Sequence, residues 1–305
     1  MEYWLDLHMH SNNSNDGEFS PEQLMEACSA ANLKTVAVTD HNSVSGVKQA
    51  EAAANKCGLK LISGIELDCE HLGRNLHLLG YGIDSSAEIF VEIETAVQAQ
   101  EKQASRQYMQ LIKNLGIIFD DKQAMKLAVN GVVTAEMIAE LALSDSRNYE
   151  NILLQPYRSG GSRSDNPYVN FYWDFCAQGK AAHVPMQFMK LGEAIKIIHD
   201  TGGAAVLAHP GANIGVNEQL AEGIIDEGID GIEVYSSYHD IETVEFYRKK
   251  CKEYDLLATL GSDFHGATKP AIHLGGMGME KEPEMLSRLL RLIHDRQEHN
   301  KQSDL

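Results

Sequence analysis

The sequence predicts an α/β fold in which seven mainly parallel strands close into a barrel, with a helical insertion between the fourth and fifth strands. Three observations carry this reading. Seven short apolar segments recur along the chain, most of them followed by a helical pattern. Most of these segments lack polar/apolar alternation, as parallel strands buried on both faces do. The rhythm breaks once, between about Ser85 and Val184, where helical patterns replace strands.

In order, the strands are read at Tyr3–Leu7, Thr35–Thr39, Lys60–Ile65, Leu76–Tyr81, Ala204–Ala208, Gly231–Tyr235 and Leu256–Gly261. Ser20-Pro21-Glu22-Gln23 starts the first helix with an N-cap, a proline at the first helical position and a glutamine able to close a capping box. The helix beginning near Val44 ends at Gly58, a C′ glycine. The turn Gly73-Arg74-Asn75 reads as a hairpin, so one antiparallel pairing is expected there. In the insertion a long helix covers Ala87–Leu115, and Gly160-Gly161-Ser162-Arg163-Ser164 reads as a mobile loop. Gly202-Gly203 closes the helix Leu191–Thr201 and lacks the Lys and Ser/Thr of a phosphate loop. A last helix around Leu286–Ile293 is expected to fray into a polar end. The expected organisation is a discontinuous barrel (1–84 and 185–280), an insertion (85–184) that is either a surface lid or a wall of the substrate pocket, and a C-terminal helix and tail (281–305).

Composition narrows the class. At 305 residues, 43% hydrophobic and 23% charged, the chain reads as an ordinary soluble enzyme, and no apolar run approaches the roughly 18 residues of a membrane span. The opening MEYWLDLHMH carries an acid and no basic stretch, unlike a secretory signal. Five scattered cysteines without C-x-x-C spacing fit a reducing cytoplasm. The net charge of −18 repels anionic membranes and long nucleic acids unless metal ions or a local basic cluster reverse the sign.

The chemistry is carried by histidines and carboxylates at strand ends. His8 and His10 close the first strand, and residues i and i+2 of a strand point to one face. Asp16 lies in the next loop, Asp40 and His41 follow the second strand, Glu66 follows the third, and His77 lies in the fourth. His209 follows the fifth, Glu233 lies in the sixth, and Asp263 with His265 follows the seventh. Active sites of parallel barrels assemble at that rim. So many charges brought together require compensation, and divalent metal ions supply it. Asp40 either holds an imidazole in its metal-binding tautomer or forms an Asx turn; Glu233 either supports a liganding histidine or is a buried structural carboxylate. Candidate phosphate contacts are Arg158, Arg163 and Lys180 in the insertion and His239 beyond the sixth strand.

The stretches Asp6-Leu7-His8-Met9-His10-Ser11, Val38-Thr39-Asp40-His41-Asn42, Gly64-Ile65-Glu66, Ala208-His209-Pro210 and Gly261-Ser262-Asp263-Phe264-His265 resemble the PHP family, named for its polymerase-associated and histidinol phosphatase members. The nearest subgroup is the stand-alone phosphoesterases acting on nucleotides. The resemblance implies a distorted (β/α)7 barrel and two or three divalent ions (Mn, Fe or Zn): the first on His8, His10, Glu66 and Asp263, the second on Glu66, His77 and His209, the third on Asp16, His41 and His265. It assigns catalysis to His8, His10, Glu66, His209, Asp263 and His265, with a metal-bound hydroxide attacking phosphorus; the general acid stays unassigned. The expected substrate is a small phosphomonoester, a nucleoside monophosphate or 3′,5′-bisphosphate. Alternatives are histidinol phosphate or another small metabolite, short RNA degraded 5′ to 3′, or a regulatory module that binds metal without catalysis. Related nucleotide phosphoesterases carry an Arg-Pro-His-type stretch early in the insertion; this chain has Thr134-Ala135-Glu136-Met137 there, which counts against a second phosphate pocket of that kind.

Overall fold

The computed structural model describes residues 4–275 and 283–303. Its strands are β1 (Leu5–Asp6), β2 (Thr35–Val38), β3 (Lys60–His71), β4 (Arg74–Tyr81), β5 (Met189–Lys190), β6 (Ala204–Leu207), β7 (Gly231–Ser236) and β8 (Leu257–Gly261). Apart from the two-residue β5, which pairs with β3, these are the seven expected from sequence, in the order β1-β2-β3-β4-β6-β7-β8. The first was expected from Tyr3, which lies outside the described residues. Parallel pairing holds everywhere except around β4, antiparallel to both β3 and β6. Leu7 N–H donates to the Leu260 carbonyl and Met9 bridges Phe264, so β8 returns to the segment after β1 and the seven-stranded barrel nearly closes.

The β3–β4 hairpin is longer than the sequence reading, and its turn sits one residue earlier. Leu72 and Gly73 both take left-handed backbone (φ 49° and 77°), the two-residue geometry that matches strand twist. A leucine at such a position is disfavoured, so the pattern hid it. The Ser20–Gln23 capping box forms as expected, and Gly58, at φ 70°, ends the helix Val47–Cys57.

Between β4 and β5 the chain is helical, beginning with Glu88–Asn114. These helices gather their own apolar cluster, with Ile112, Ile138, Leu154 and Phe171 at its centre. Tyr172–Cys176 forms a turn of π-helix. The segment around Gly160 and Gly161 is tied down by backbone bonds from Gly161 to Arg158 and from Arg163 to Pro156. The C-terminal helix runs Pro283–Ser303, well past the expected end. Met285, Leu289 and Ile293 pack it beneath the barrel against Leu5, Tyr81 and Ala204. Arg296 pairs with Asp230 at 2.8 and 2.9 Å, while Gln297 and Asn300 cap barrel carbonyls, which is why the polar end stays helical. Among the described residues no helix is long and apolar enough to cross a membrane.

At the C-terminal end of β8 the barrel narrows to backbone contact. A Cβ on Gly261 would lie 2.1 Å from the His8 Cβ and 2.4 Å from Glu233 Oε1. Gly261→Ala is therefore expected to cost about 1–3 kcal/mol of stability through overpacking, read by urea unfolding. A loss below about 0.5 kcal/mol would mean that the rim yields more readily than this packing allows.

Candidate metal centre

The segment after β1 is clamped between its neighbours: Thr39 N–H donates to the Met9 carbonyl, His10 N–H to Phe264 and Asp263 N–H to His8. Met9 is buried with Leu24, Met25 and Cys28 on the helix side. Strand alternation therefore turns His8 and His10 together into the barrel mouth, their Nε2 atoms 3.1 Å apart. Glu66 is positioned from β3 and by pairing with the Asp40–Asn42 segment, whose backbone it bonds on both sides. His209 and Asp263 lie just past β6 and β8 with positive φ (25° and 59°), left-handed conformations that non-glycine residues hold only where the surroundings impose them.

These residues converge on one fully buried carboxylate. Glu66 Oε2 has His8 Nε2 and His10 Nε2 at 3.2 Å and His41 Nδ1 at 3.1 Å. Its Oε1 has His77 Nδ1 at 2.8 Å and His209 Nε2 at 3.0 Å. Asp263 Oδ1 lies 3.3 and 3.1 Å from the same nitrogens of His8 and His10. Three groups have donor atoms within 4.8 Å of one another: His8, His10, Glu66 and Asp263; His41, Glu66 and His77; and His10, His41 and His265. The first coincides with the expected set. In the second, His41 sits where His209 was expected, although His209 touches the same carboxylate. In the third, His10 sits where Asp16 was expected, although Asp16 Oδ2 stands 3.3 Å from His265 Nε2.

The donor chemistry fits metal ions. Glu66 Oε2, Asp263 Oδ1, Asp16 Oδ1 and His265 Nε2 are buried without a hydrogen-bond partner, though ringed by polar atoms. Buried acceptors facing one another are costly unless a cation joins them. The imidazoles are oriented from behind. His8 Nδ1 meets Glu233 Oε1 at 2.9 Å, His10 Nδ1 meets Ser14 Oγ at 3.0 Å, and His209 Nδ1 meets Asn213 Oδ1 at 2.9 Å. Glu233 also accepts the His209 backbone N–H, so one carboxylate braces two candidate ligands. Asp40 touches no imidazole: it accepts from Ser11 and Ser14, and reaches His10 only through the Ser14 hydroxyl. Burial, with His265 and His41 nearby, pushes His10 down to about 3 and keeps it a neutral ligand. Burial would also lower His77, but the Glu66 carboxylate prevails and raises it to about 9. Burial alone would raise Glu66; His8, His77 and His41 outweigh it and hold the carboxylate well below its usual range.

A cavity of about 550 Å³ opens over this centre, bordered by Asp16, His41, His77, His209 and Asp263. Its other walls carry Tyr108, Tyr172 and Trp173, with Arg74, Lys180 and His183 among the basic groups. Of the four expected phosphate contacts, Lys180 alone borders it. Arg158 donates to the Leu143 and Asn148 carbonyls, Arg163 forks onto Asp174, and His239 is held between Gly211 N–H and the Val234 carbonyl. Each is committed to tying its loop to a neighbouring segment. Sequence reasoning missed Ser14, Asn213, Tyr238 and Lys269; nothing in spacing distinguishes them. Asp68, opposite His77 in the β3–β4 pairing, has Oδ1 3.2 Å from His77 Nε2. Glu101 and Glu136 also border the cavity, and burial pushes their carboxyls up to about 8 and about 7.

Known proteins resemble the chain over most of its length. Residues 6–154 match the family model of the PHP domain. The chain is 28% identical over 263 residues to a 5′-3′ exoribonuclease of Haemophilus influenzae, covering 85% of this chain and 89% of that protein. It is 27% identical to a 3′,5′-nucleoside bisphosphate phosphatase of Chromobacterium violaceum, covering 86% and 87%. A solved structure from the same organism, described as an amidohydrolase with bound sulfate, superposes with a TM-score of 0.75 at 24% identity over 93% of this chain and 96% of that one; at that identity the likeness concerns the fold. Fold, donor set and relatives define a metal-dependent phosphoesterase. The PHP-domain match spans residues 6–154, and the relatives extend the similarity over most of the chain.

Two predictions follow from the supports. Glu233→Gln is expected to leave the fold intact and weaken metal affinity by about 10- to 100-fold in competition with a chelator; unchanged affinity would reduce Glu233 to a structural carboxylate. Protons compete with metal for His77, so affinity should rise with pH until that imidazole is neutral, near 9. A pH-independent affinity would exclude His77 as a ligand.

Proposed function

We propose that this chain hydrolyses a small phosphomonoester, a nucleoside monophosphate or 3′,5′-bisphosphate nucleotide, with two or three divalent ions (Mn, Fe or Zn) held by His8, His10, Asp16, His41, Glu66, His77, His209, Asp263 and His265. The observation that carries the reading is one cavity running from this donor cluster to aromatic walls. When bound, the ions supply Lewis acidity, acidifying water and neutralising charge on phosphoryl oxygens. The protein's residues do the rest. Glu233, Ser14 and Asn213 fix the imidazoles, so the donors need no rearrangement during reaction. Tyr108, Tyr172 and Trp173 offer faces on which a base can stack. Arg74, Lys180 and His183 give a second anionic group a counter-charge. Glu101 and Glu136, raised towards neutral pH, repel such a substrate less than ionised acids would and can donate hydrogen bonds.

The expected insertion, 85–184, supplies the wall that includes Glu101, Tyr108, Glu136 and Tyr172, which supports reading it as part of the substrate pocket. The five free cysteines fit a cytoplasmic setting. Histidinol phosphate or another small phosphorylated metabolite is the second reading: a substrate ammonium beside the same two glutamates would draw them into their ionised form. Short RNA is the third, from the relative named exoribonuclease; the −18 net charge opposes long polyanions.

The test is phosphate release from AMP, a nucleoside 3′,5′-bisphosphate, histidinol phosphate and a short 5′-phosphorylated RNA. Metal-stripped protein is assayed alone and after reloading with manganese, iron(II) or zinc. Release from a nucleotide is expected, restored by metal and reduced at least about 100-fold in His8→Ala. Metal-loaded protein that releases phosphate from none of the four would contradict the reading, and preference for histidinol phosphate would replace it with the second.

A further inference from the structure

The loop after β8 brings a cation to the rim for which ion binding has no use. Lys269 is 6% exposed, follows the 3-10 turn Gly266–Thr268, and borders the cavity beside Tyr238 and Asp263. Its Nζ donates to Asp263 Oδ2 at 2.6 Å, the oxygen that also accepts from the Tyr238 hydroxyl at 2.6 Å. The other oxygen of Asp263 stays turned to His8 and His10. One carboxylate is thus divided, with Oδ1 facing the donor cluster and Oδ2 anchoring a lysine.

That lysine is held firmly in place. Thr268 Oγ1 donates to the Asp16 carbonyl at 2.7 Å, and Ala267 N–H donates to Glu18 Oε2 at 2.6 Å, so its loop is pinned to the loop that carries Asp16. The ammonium also lies 5.5 Å from the centre of the Tyr238 ring. An ammonium has three donors, and among the described residues the carboxylate of Asp263 takes one. A charge so far out of water is costly to leave with open donors. The open space beside it is the cavity over the ion-binding cluster.

We propose that Lys269 is a substrate ligand: its ammonium, anchored by Asp263 with Tyr238 behind it, takes a non-bridging oxygen of the phosphoryl group. The inference rests on the phosphoesterase reading. A compact point charge suits a phosphoryl oxygen, and a fixed one stabilises the charge that grows there during transfer.

The experiment uses the full-length, metal-loaded protein, with inorganic phosphate as the probe in calorimetric titration and metal content measured in parallel. Lys269→Gln is expected to keep its metal and bind phosphate about tenfold or more weakly, with Lys269→Arg recovering part of the loss. Lys269→Gln binding phosphate as wild type does would overturn the proposal. So would a loss that only follows missing metal, since Lys269 would then act solely through Asp263. If Lys269→Gln fails to fold, a crystal of metal-loaded wild type soaked in phosphate decides: an oxygen within hydrogen-bonding distance of Nζ supports the proposal, and a bare Nζ ends it. Phosphate binding that depends on Lys269, without hydrolysis of any phosphoester, would overturn the substrate role along with the enzymatic reading and leave Lys269 a phosphate ligand only.

Discussion

Glu66 is fully buried, and five imidazoles crowd its two oxygens within 3.2 Å. A proton on one of those histidines could balance its charge, but any further charged ring would repel the first across the few ångströms that separate them. Divalent cations would resolve the conflict, leaving the imidazoles neutral and the carboxylates charged. Much of the rim exists to hold donors in this otherwise unfavourable arrangement. The left-handed backbone at His209 and Asp263, the absence of a side chain at Gly261 and the bracing by Glu233 all serve it.

The barrel explains why donors more than 250 residues apart can meet. Most donors lie two to four residues past the end of a parallel strand: His8 and His10 after β1, His41 after β2, His209 after β6, Asp263 and His265 after β8. Glu66 stands within the long β3, and β4, which runs the other way, contributes His77 from within the strand, opposite Asp68 of β3. This reversal also puts the exit of β4 at the far end of the barrel. The long helix Glu88–Asn114 then returns towards the rim, where Glu101 and Tyr108 border the cavity. Topology therefore links the donor cluster to the helical wall of the cavity.

Much of this was legible in the sequence because its signals are local. Apolar runs mark strands, the Ser20 box and Gly58 mark helix ends, and His-x-His at a strand end puts two rings on one face. Other features were illegible because they depend on contacts between distant segments. Ser14 and Asn213 are ordinary loop residues until the fold sets them against His10 and His209. Lys269 reads as a surface lysine until Asp263 and Tyr238 enclose it. Arg158 and Arg163 attracted attention by their chemical type, yet their guanidinium groups are engaged within the insertion. The turn at Leu72-Gly73 and the π-helix at Tyr172–Cys176 break local preferences and have no signature in pattern.

The central claim is that Glu66 lies at the heart of a metal cluster. Anomalous diffraction from crystals grown with manganese, iron or zinc tests it most directly. The account predicts at least two anomalous peaks in contact with the Glu66 carboxylate, one of them also touching His8, His10 and Asp263. Crystals soaked to measured metal saturation that show no peak at Glu66, or peaks only at surface carboxylates, would contradict it.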